Sequence, residues 1–160
     1  MKKIYLIIII VILLITASKC ELVMDYFIGF SMKNNSNSDI CFYVSSGSYV
    51  YPDTTISFDR EKVGYTTKPN TTNTSWSIPI YSYEIWISGF PKDTVSIYIF
   101  SQDTVNIYEW EIIQQDYKIL QRYDLSLEDI NNLKNENDIP VITYPPSEAM
   151  KNMKMYPPYE

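Results

Sequence analysis

The fold class is decided by Tyr26-Phe27-Ile28-Gly29-Phe30-Ser31-Met32 and by Ile40-Cys41-Phe42-Tyr43-Val44, two short stretches rich in aromatic and β-branched residues. Such residues favour β-strands. Between the two stretches, the segment from Asn34 to Asp39 contains only Asn, Ser and Asp, which are typical of tight turns. The pattern therefore predicts a β-hairpin.

Most of the remaining chain continues this β pattern. Further strands are predicted at Thr55 to Phe58, Trp76 to Pro79, Tyr83 to Ile87, Thr94 to Phe100, Ile119 to Tyr123 and Ile139 to Tyr144. The polar segment from Lys62 to Thr74 is predicted as a surface loop, and Gly89 to Asp93 as a hairpin connection. We expect residues 20–160 to form a single, mainly β domain of the antiparallel β-sandwich type.

Two short helices are predicted late in this domain. The first begins at Asn106, which with Glu109 matches a capping box, and the second begins at Ser126, paired with Asp129. The side chains expected to face the sheet are Trp110, Ile113 and Tyr117 in the first helix and Leu127, Ile130 and Leu133 in the second.

The tail, residues 144–160, carries two Tyr-Pro-Pro units. Proline stops strands and helices, so we predict stiff closing segments with their tyrosines packed on the sheet. The alternative is that the units present an extended ligand to an aromatic groove.

The N-terminus has the pattern of an export signal of the lipoprotein type. Two lysines precede a nearly unbroken apolar run over residues 4–15, small residues follow, and Cys20 stands next. This run is too short to span a bilayer, so residues 1–19 are predicted to be removed and Cys20 to carry palmitate-type acyl chains. Lys19 is unlike the small residue that normally precedes such a cysteine. The alternative is ordinary cleavage, which leaves Cys20 and Cys41 able to form a disulfide.

Composition excludes several classes of function. Loss of the lysines at positions 2, 3 and 19 takes the formal net charge from −6 to −9, and so acidic a domain repels nucleic acid and anionic lipid. The chain has no histidine, which excludes Ser-His-Asp and Cys-His catalysis and histidine-ligated zinc. No loop has the spacing of a calcium site, so no metal and no cofactor are expected.

Two candidate sites remain. Glu109 and Glu111 lie beside aromatic residues, and a glycoside hydrolase needs two carboxylates, but neighbours on a helix point in different directions and a helix N-terminus explains both acids better. Aromatic side chains are dense between positions 49 and 83. The candidate ligand-binding residues are Tyr49, Tyr51, Tyr65, Trp76 and Tyr81, which would stack on a glycan or a peptide unless they pack in the core.

Four strings carry a family resemblance: Asn34-Asn35-Ser36 to Asp39-Ile40, Tyr51-Pro52-Asp53-Thr54, Tyr117-Lys118-Ile119-Leu120-Gln121-Arg122-Tyr123-Asp124-Leu125-Ser126 and Met153-Lys154-Met155-Tyr156-Pro157-Pro158-Tyr159. In them the chain resembles small uncharacterised lipoproteins of gut Bacteroidales. The resemblance implies a cell-envelope location, with the outer membrane favoured and its side left open, and it carries over no catalytic residue. We expect a non-enzymatic binding or structural module with a glycan or an envelope protein as partner. A carboxylate-based glycoside hydrolase is the weaker alternative.

Overall fold

The computed structural model describes residues 27–45 and 55–159, which form a mainly β structure of two sheets with short helices. This confirms the predicted fold class. The strands are β1 (Phe27–Asn34), β2 (Ile40–Ser45), β3 (Tyr65–Thr67), β4 (Thr71–Pro79), β5 (Thr94–Ser101), β6 (Gln121–Ser126), β7 (Val141–Tyr144) and β8 (Lys154–Tyr156). The helices are α1 (Tyr83–Ser88), α2 (Gln102–Ile107), α3 (Trp110–Gln115) and α4 (Leu127–Asn132), with 3₁₀ turns at Arg60–Lys62, Pro91–Asp93 and Glu148–Met150.

The sheets differ in size and pairing. One has three strands in the order β4-β1-β7, in which β7 runs parallel to β1. The other has five strands in the order β3-β2-β5-β6-β8, and each neighbouring pair is antiparallel. The parallel pair β1 and β7 departs from the antiparallel arrangement that the sequence predicts.

The five-stranded sheet is buried on both faces. Its central strand β5 sends Val95, Ile97 and Ile99 into the main core, which it shares with the three-stranded sheet. The alternate residues Tyr98 and Phe100 enter a second cluster. That cluster is closed by Ile56, Phe58, Val105 and Ile113. Burial on both faces explains why β5 is apolar almost throughout instead of alternating with polar residues.

The predicted first hairpin is wrong. β1 and β2 belong to different sheets, and the connection between them crosses from one sheet to the other. The side chain of Asn34 is fully buried at this crossing and stabilises it through hydrogen bonds. Its Nδ2 donates to the carbonyls of Ser38 and Thr67 at 2.8 and 2.9 Å, and its Oδ1 accepts from the amide of Ser36 at 2.9 Å. Turn chemistry is local and does not specify whether the flanking strands pair or face each other across a core.

The predicted strand from Tyr83 to Ile87 is also wrong, because these residues form helix α1. Tyr83, Trp86 and Ile87 are buried, and their spacing places them on one helical face. The Ser82 hydroxyl accepts from the amide of Ile85 at 3.3 Å and caps the helix. The segment after α1 therefore connects a helix to β5 and is not a hairpin connection.

Two further expectations are corrected in the region before α1. The segment from Lys62 to Thr74 is not only a loop, since it contains β3 and the beginning of β4. Thr55 to Phe58 is not a strand, although Ile56 and Phe58 are buried.

The helices near the C-terminus agree better with the sequence. Asn106 does not begin the first helix: it lies inside α2, and Glu109 is the N-cap residue of α3 without a side-chain cap bond. Ile113 is fully buried and Trp110 packs against the second cluster, which confirms these two residues of the predicted face. Tyr117 packs against the same cluster, but it lies beyond the end of α3 with a positive φ of 50°, so it is not part of that helical face. Helix α4 begins after Ser126, and its predicted capping box is present.

Candidate functional site

The two Tyr-Pro-Pro units of the tail come together at one cleft of about 330 Å³, which we call the Tyr-Pro cleft. The first unit lines it with all three residues, and the second with its two prolines and the Tyr159 that follows them. Its lining residues are Leu120, Gln121, Tyr144, Pro145, Pro146, Pro157, Pro158 and Tyr159. Prolines supply half of them. The units are separated in the chain by the 3₁₀ turn at Glu148–Met150 and by β8, so only the tertiary fold makes them neighbours.

The ends of β7 and β8 position the cleft. β7 ends at Tyr144 and β8 at Tyr156, where a proline follows and cannot continue the ladder of hydrogen bonds. β7 pairs with β1 in the three-stranded sheet, whereas β8 pairs with β6 in the five-stranded sheet. The cleft therefore lies where the ends of the two sheets meet. Both tyrosine–proline bonds are cis.

Side chains of strand β6 donate hydrogen bonds to both segments that form the walls of the cleft. The Gln121 side chain, only 5% exposed, donates from Nε2 to the carbonyl of Pro157 at 2.6 Å. Tyr123 lies two residues further along β6 and is fully buried. Its hydroxyl donates to the carbonyl of Thr143 at 2.7 Å. The segments that carry the two Tyr-Pro-Pro units are thus held to one rigid strand.

The chemistry of the cleft is that of a neutral binding surface. Its lining contains neither an acidic nor a basic side chain. Proline has no amide N–H, so the walls offer ring faces and carbonyl acceptors. Burial raises the pKa of Tyr144, so its hydroxyl, protonated at neutral pH as in any tyrosine, stays a donor at alkaline pH as well. The arrangement suits an uncharged ligand that brings its own hydrogen-bond donors.

Behind β6, on the face opposite Gln121, lies a buried ion pair. Arg122 Nε is 2.8 Å from Asp124 Oδ1, and both side chains are almost completely buried. The Ser96 hydroxyl donates to the same carboxylate oxygen at 2.6 Å, and the guanidinium lies 5.0 Å from the centroid of the Tyr98 ring. Burial by itself lowers the pKa of Arg122, but the Tyr117 hydroxyl, the Tyr98 ring and the carboxylate together raise it. The pair orders β6 and does not reach the cleft.

The structure separates the aromatic residues that the sequence groups into a ligand face. Tyr49 and Tyr51 lie outside the described residues. Trp76 is 7% exposed and stacks on Phe30 in the main core, with 4.6 Å between the ring centroids. Tyr65 is half-buried and stacks on Phe42, with 5.2 Å between centroids. Tyr81 is 72% exposed, and of the described candidates it presents the most surface to a ligand.

The predicted acids beside Trp110 occupy a helix start, as expected. Glu109 is the N-cap residue of α3 and Glu111 lies in its first turn. A different open depression of about 490 Å³ does contain several acids. Its charged lining residues are Glu84, Lys92, Asp93 and Glu128. A hydrogen bond to the Ser82 side chain lowers the pKa of Glu84, which keeps this carboxylate ionised.

The two cysteines and the possible metal ligands are the remaining candidate residues. Cys20 lies outside the described residues, while Cys41 is a free thiol, 1% exposed, with Sγ 3.8 Å from the carbonyl oxygen of Phe100. Over residues 27–45 and 55–159 no group of three or more Cys, Asp or Glu side chains is arranged to hold a metal ion. Within the same ranges no helix is long and apolar enough to cross a membrane.

Comparison with known proteins found no relative. No family model matches the chain, and no curated protein or solved structure shows significant similarity to it. None of the described candidate ligand-binding residues, Tyr65, Trp76 and Tyr81, lines this cleft. The repeated Tyr-Pro-Pro unit is the sequence feature that could have indicated it, although the sequence favoured stiff closing segments there. Nothing local marked Leu120 or Gln121, because their role depends on the position of β6 between the two units.

Proposed function

We propose that the chain is a non-catalytic binding module of the bacterial cell envelope, attached by lipid at Cys20, which takes an extended peptide of an envelope protein in the Tyr-Pro cleft. The observation that carries the proposal is the convergence of both Tyr-Pro-Pro units on one cleft of about 330 Å³. A volume of this order lies within the range of small-ligand sites in proteins.

The lining favours a peptide over a glycan. A glycan presents many hydroxyl groups, and its recognition needs donors as well as acceptors around each ring. Half of the residues that line the Tyr-Pro cleft are prolines, which donate no hydrogen bond, and the Gln121 amide already donates to the carbonyl of Pro157. The lining thus offers few side-chain donors, chiefly the hydroxyls of Tyr144 and Tyr159. An extended peptide supplies backbone N–H donors to the free carbonyl lone pairs and packs its side chains against the rings.

The proposal is tested by fluorescence anisotropy with a library of fluorescein-labelled, proline-containing peptides, and in parallel on a glycan array. Tyr159, 36% exposed at the rim, is the variant of choice because its removal disturbs the core least. Tyr159→Ala is expected to weaken peptide binding about tenfold, since loss of an anchoring tyrosine costs more than about 1 kcal/mol.

Tyr108→Ala is the matched control. Tyr108 is 43% exposed and lies between α2 and α3, outside the cleft, so its variant should bind as the parent does. Equal affinity of parent and Tyr159→Ala would reject the cleft. If the protein binds the glycan array and no peptide, the ligand of the cleft is a sugar and not a peptide.

A second candidate, the carboxylate-based glycoside hydrolase, is favoured by the depression that holds Glu84, Asp93 and Glu128. Such an enzyme needs one carboxyl group with a raised pKa as general acid. The pKa of Glu84 is instead lowered, so its role would be that of the ionised partner. Release of reducing sugar from envelope polysaccharide, abolished by Glu128→Gln, would establish this function in place of simple binding.

A further inference from the structure

Three large apolar side chains are exposed close to the point at which the chain enters the described fold. Phe27 is 60% exposed, Tyr81 72% and Ile85 55%. Phe27 lies opposite Pro79 in the ladder between β1 and β4, and Tyr81 follows Pro79 by two residues. The Tyr83 hydroxyl donates to the carbonyl of Gly29, which places the start of α1 against β1. These contacts place the start of β1 and the segment from the end of β4 to the start of α1 side by side, and we call the region that carries Phe27, Tyr81 and Ile85 the entry corner.

The length of chain before this corner limits its distance from a membrane. If Cys20 carries the lipid, seven peptide units separate it from Phe27. Fully extended, they reach about 25 Å. A domain of this size has a diameter of roughly 37 Å, from a radius of gyration of about 14 Å. The tether thus keeps Phe27 within about 25 Å of the lipid, a distance shorter than the diameter of the domain, so the entry corner can always reach the bilayer.

From this we propose that the entry corner rests on the membrane, with Phe27, Tyr81 and Ile85 in the interfacial region of an uncharged, zwitterionic lipid surface. The inference depends on the lipid at Cys20 that the proposed function assumes. Tyrosine and other amphipathic or apolar side chains are favoured at this depth. The net negative charge opposes an anionic surface, and a tether holds the corner at high effective concentration, so a small apolar contact is enough.

The test uses the acylated full-length chain with a single environment-sensitive NBD label, attached to Ile85→Cys and bound to phosphatidylcholine vesicles. Cys41 does not compete for the label, because it is 1% exposed and burial raises its pKa to about 12. The matched control is Ile107→Cys, since Ile107 is 75% exposed and ends α2, which packs on the other face of the five-stranded sheet.

We expect the label at position 85 to emit at shorter wavelength on vesicles and to lose most of its emission to spin-labelled lipid, while the label at 107 does neither. Adding Phe27→Ser and Tyr81→Ser should return the label at 85 to a water-like signal while the protein stays on the vesicles. Vesicle-bound protein with both labels in water, or with both equally quenched, overturns the inference alone. If the protein does not float with the vesicles, no lipid at Cys20 anchors it. Both this inference and the lipid attachment in the proposed function are then wrong.

Discussion

At the residue scale, Asn34 determines how the chain crosses between the sheets. Its buried amide satisfies carbonyls on two different segments, at Ser38 and Thr67, while its oxygen orders the turn through Ser36. Alanine can make none of these bonds. Leaving a buried polar group without a partner lowers the free energy of unfolding by more than an ordinary hydrogen bond contributes to it.

Asn34→Ala is therefore expected to lower the free energy of unfolding by about 2 kcal/mol, because the buried carbonyl of Thr67 and the partly buried carbonyl of Ser38 lose their donor. Urea unfolding followed by tryptophan fluorescence measures this difference. Asn35→Ala is the control, since the side chain of Asn35 is exposed and its backbone amide still donates to the carbonyl of Tyr144. Equal midpoints for the two variants would show that Asn34 does not support the crossing.

Cys41 sets a dependence on alkaline pH at the same scale. Burial raises the pKa of its thiol from 9.0 to about 12, so the folded state holds the proton that the unfolded state releases. This contribution is fully present below pH 9 and is lost as the pH rises from 9 towards 12. The free energy of unfolding should fall by up to about 1.4 kcal/mol per pH unit in this window.

Urea unfolding at pH 8, 9 and 9.8 measures the slope. The buried tyrosines, whose pKa values are also raised, add to the decline near pH 9.8, because their ordinary pKa in the unfolded chain is about 10. Cys41→Ala should remove the part of the decline that is due to the thiol, so the slope of the variant should be shallower than that of the parent between pH 8 and 9. The same decline in the variant would assign it to another group.

At the element scale, helix α3 is held to the sheet by its first residue. Trp110 Nε1 donates to the carbonyl of Phe58 at 2.9 Å, and its ring lies 5.8 Å from the Phe58 ring and 5.7 Å from the Phe100 ring. The helix is only six residues long, so its own hydrogen bonds cannot keep it folded. Tertiary packing supplies its stability.

Trp110→Ala should therefore lower the free energy of unfolding by about 3 kcal/mol, at the lower end for a large aromatic because the ring is half-buried. Thermal unfolding followed by circular dichroism gives the change. Ile112→Ala, on the same helix and 40% exposed, should cost less than about 1 kcal/mol. A melting temperature unchanged by Trp110→Ala would mean that α3 is not anchored there.

Helices α4 and α1 show what a local sequence pattern can and cannot predict about an element. Ser126 and Asp129 predict α4 correctly, because a capping box and its apolar face are contained in a few adjacent residues. Tyr83 to Ile87 predicted a strand, because alternating aromatic and β-branched residues suit a pleated surface. The cap at Ser82 and burial of Tyr83, Trp86 and Ile87 on one side favour the helix that is observed.

At the scale of the whole molecule, the proposed attachment to the membrane depends on Cys20. If the proposal is right, Cys20→Ser converts a membrane-bound protein into a soluble one with an unchanged circular dichroism spectrum. So acidic a domain is not attracted to an anionic bilayer, so in the proposed arrangement the acyl chains supply the strong attraction. Fractionation of cells, with intact mass of the extracted protein, measures both attachment and acylation.

Cys41→Ser is the matched control and distinguishes acylation from a disulfide. In the proposed arrangement this variant stays in the membrane and keeps its acyl mass. A parent protein without acyl mass, soluble and lacking a free thiol, would favour the disulfide between Cys20 and Cys41.

The sequence by itself determined the β class, the positions of β2 and β5, the inward face of α4 and the presence of two Tyr-Pro-Pro units. Each of these depends on residues adjacent in the chain, through side-chain size, branching and backbone preference. Only the tertiary structure decided that β1 and β2 lie in different sheets, that β7 runs parallel to β1, and that Gln121 joins the tail to form the cleft. An apolar strand face specifies that it must be buried but not against which segment, because many pairings bury the same surface and only the packing of the complete chain selects one.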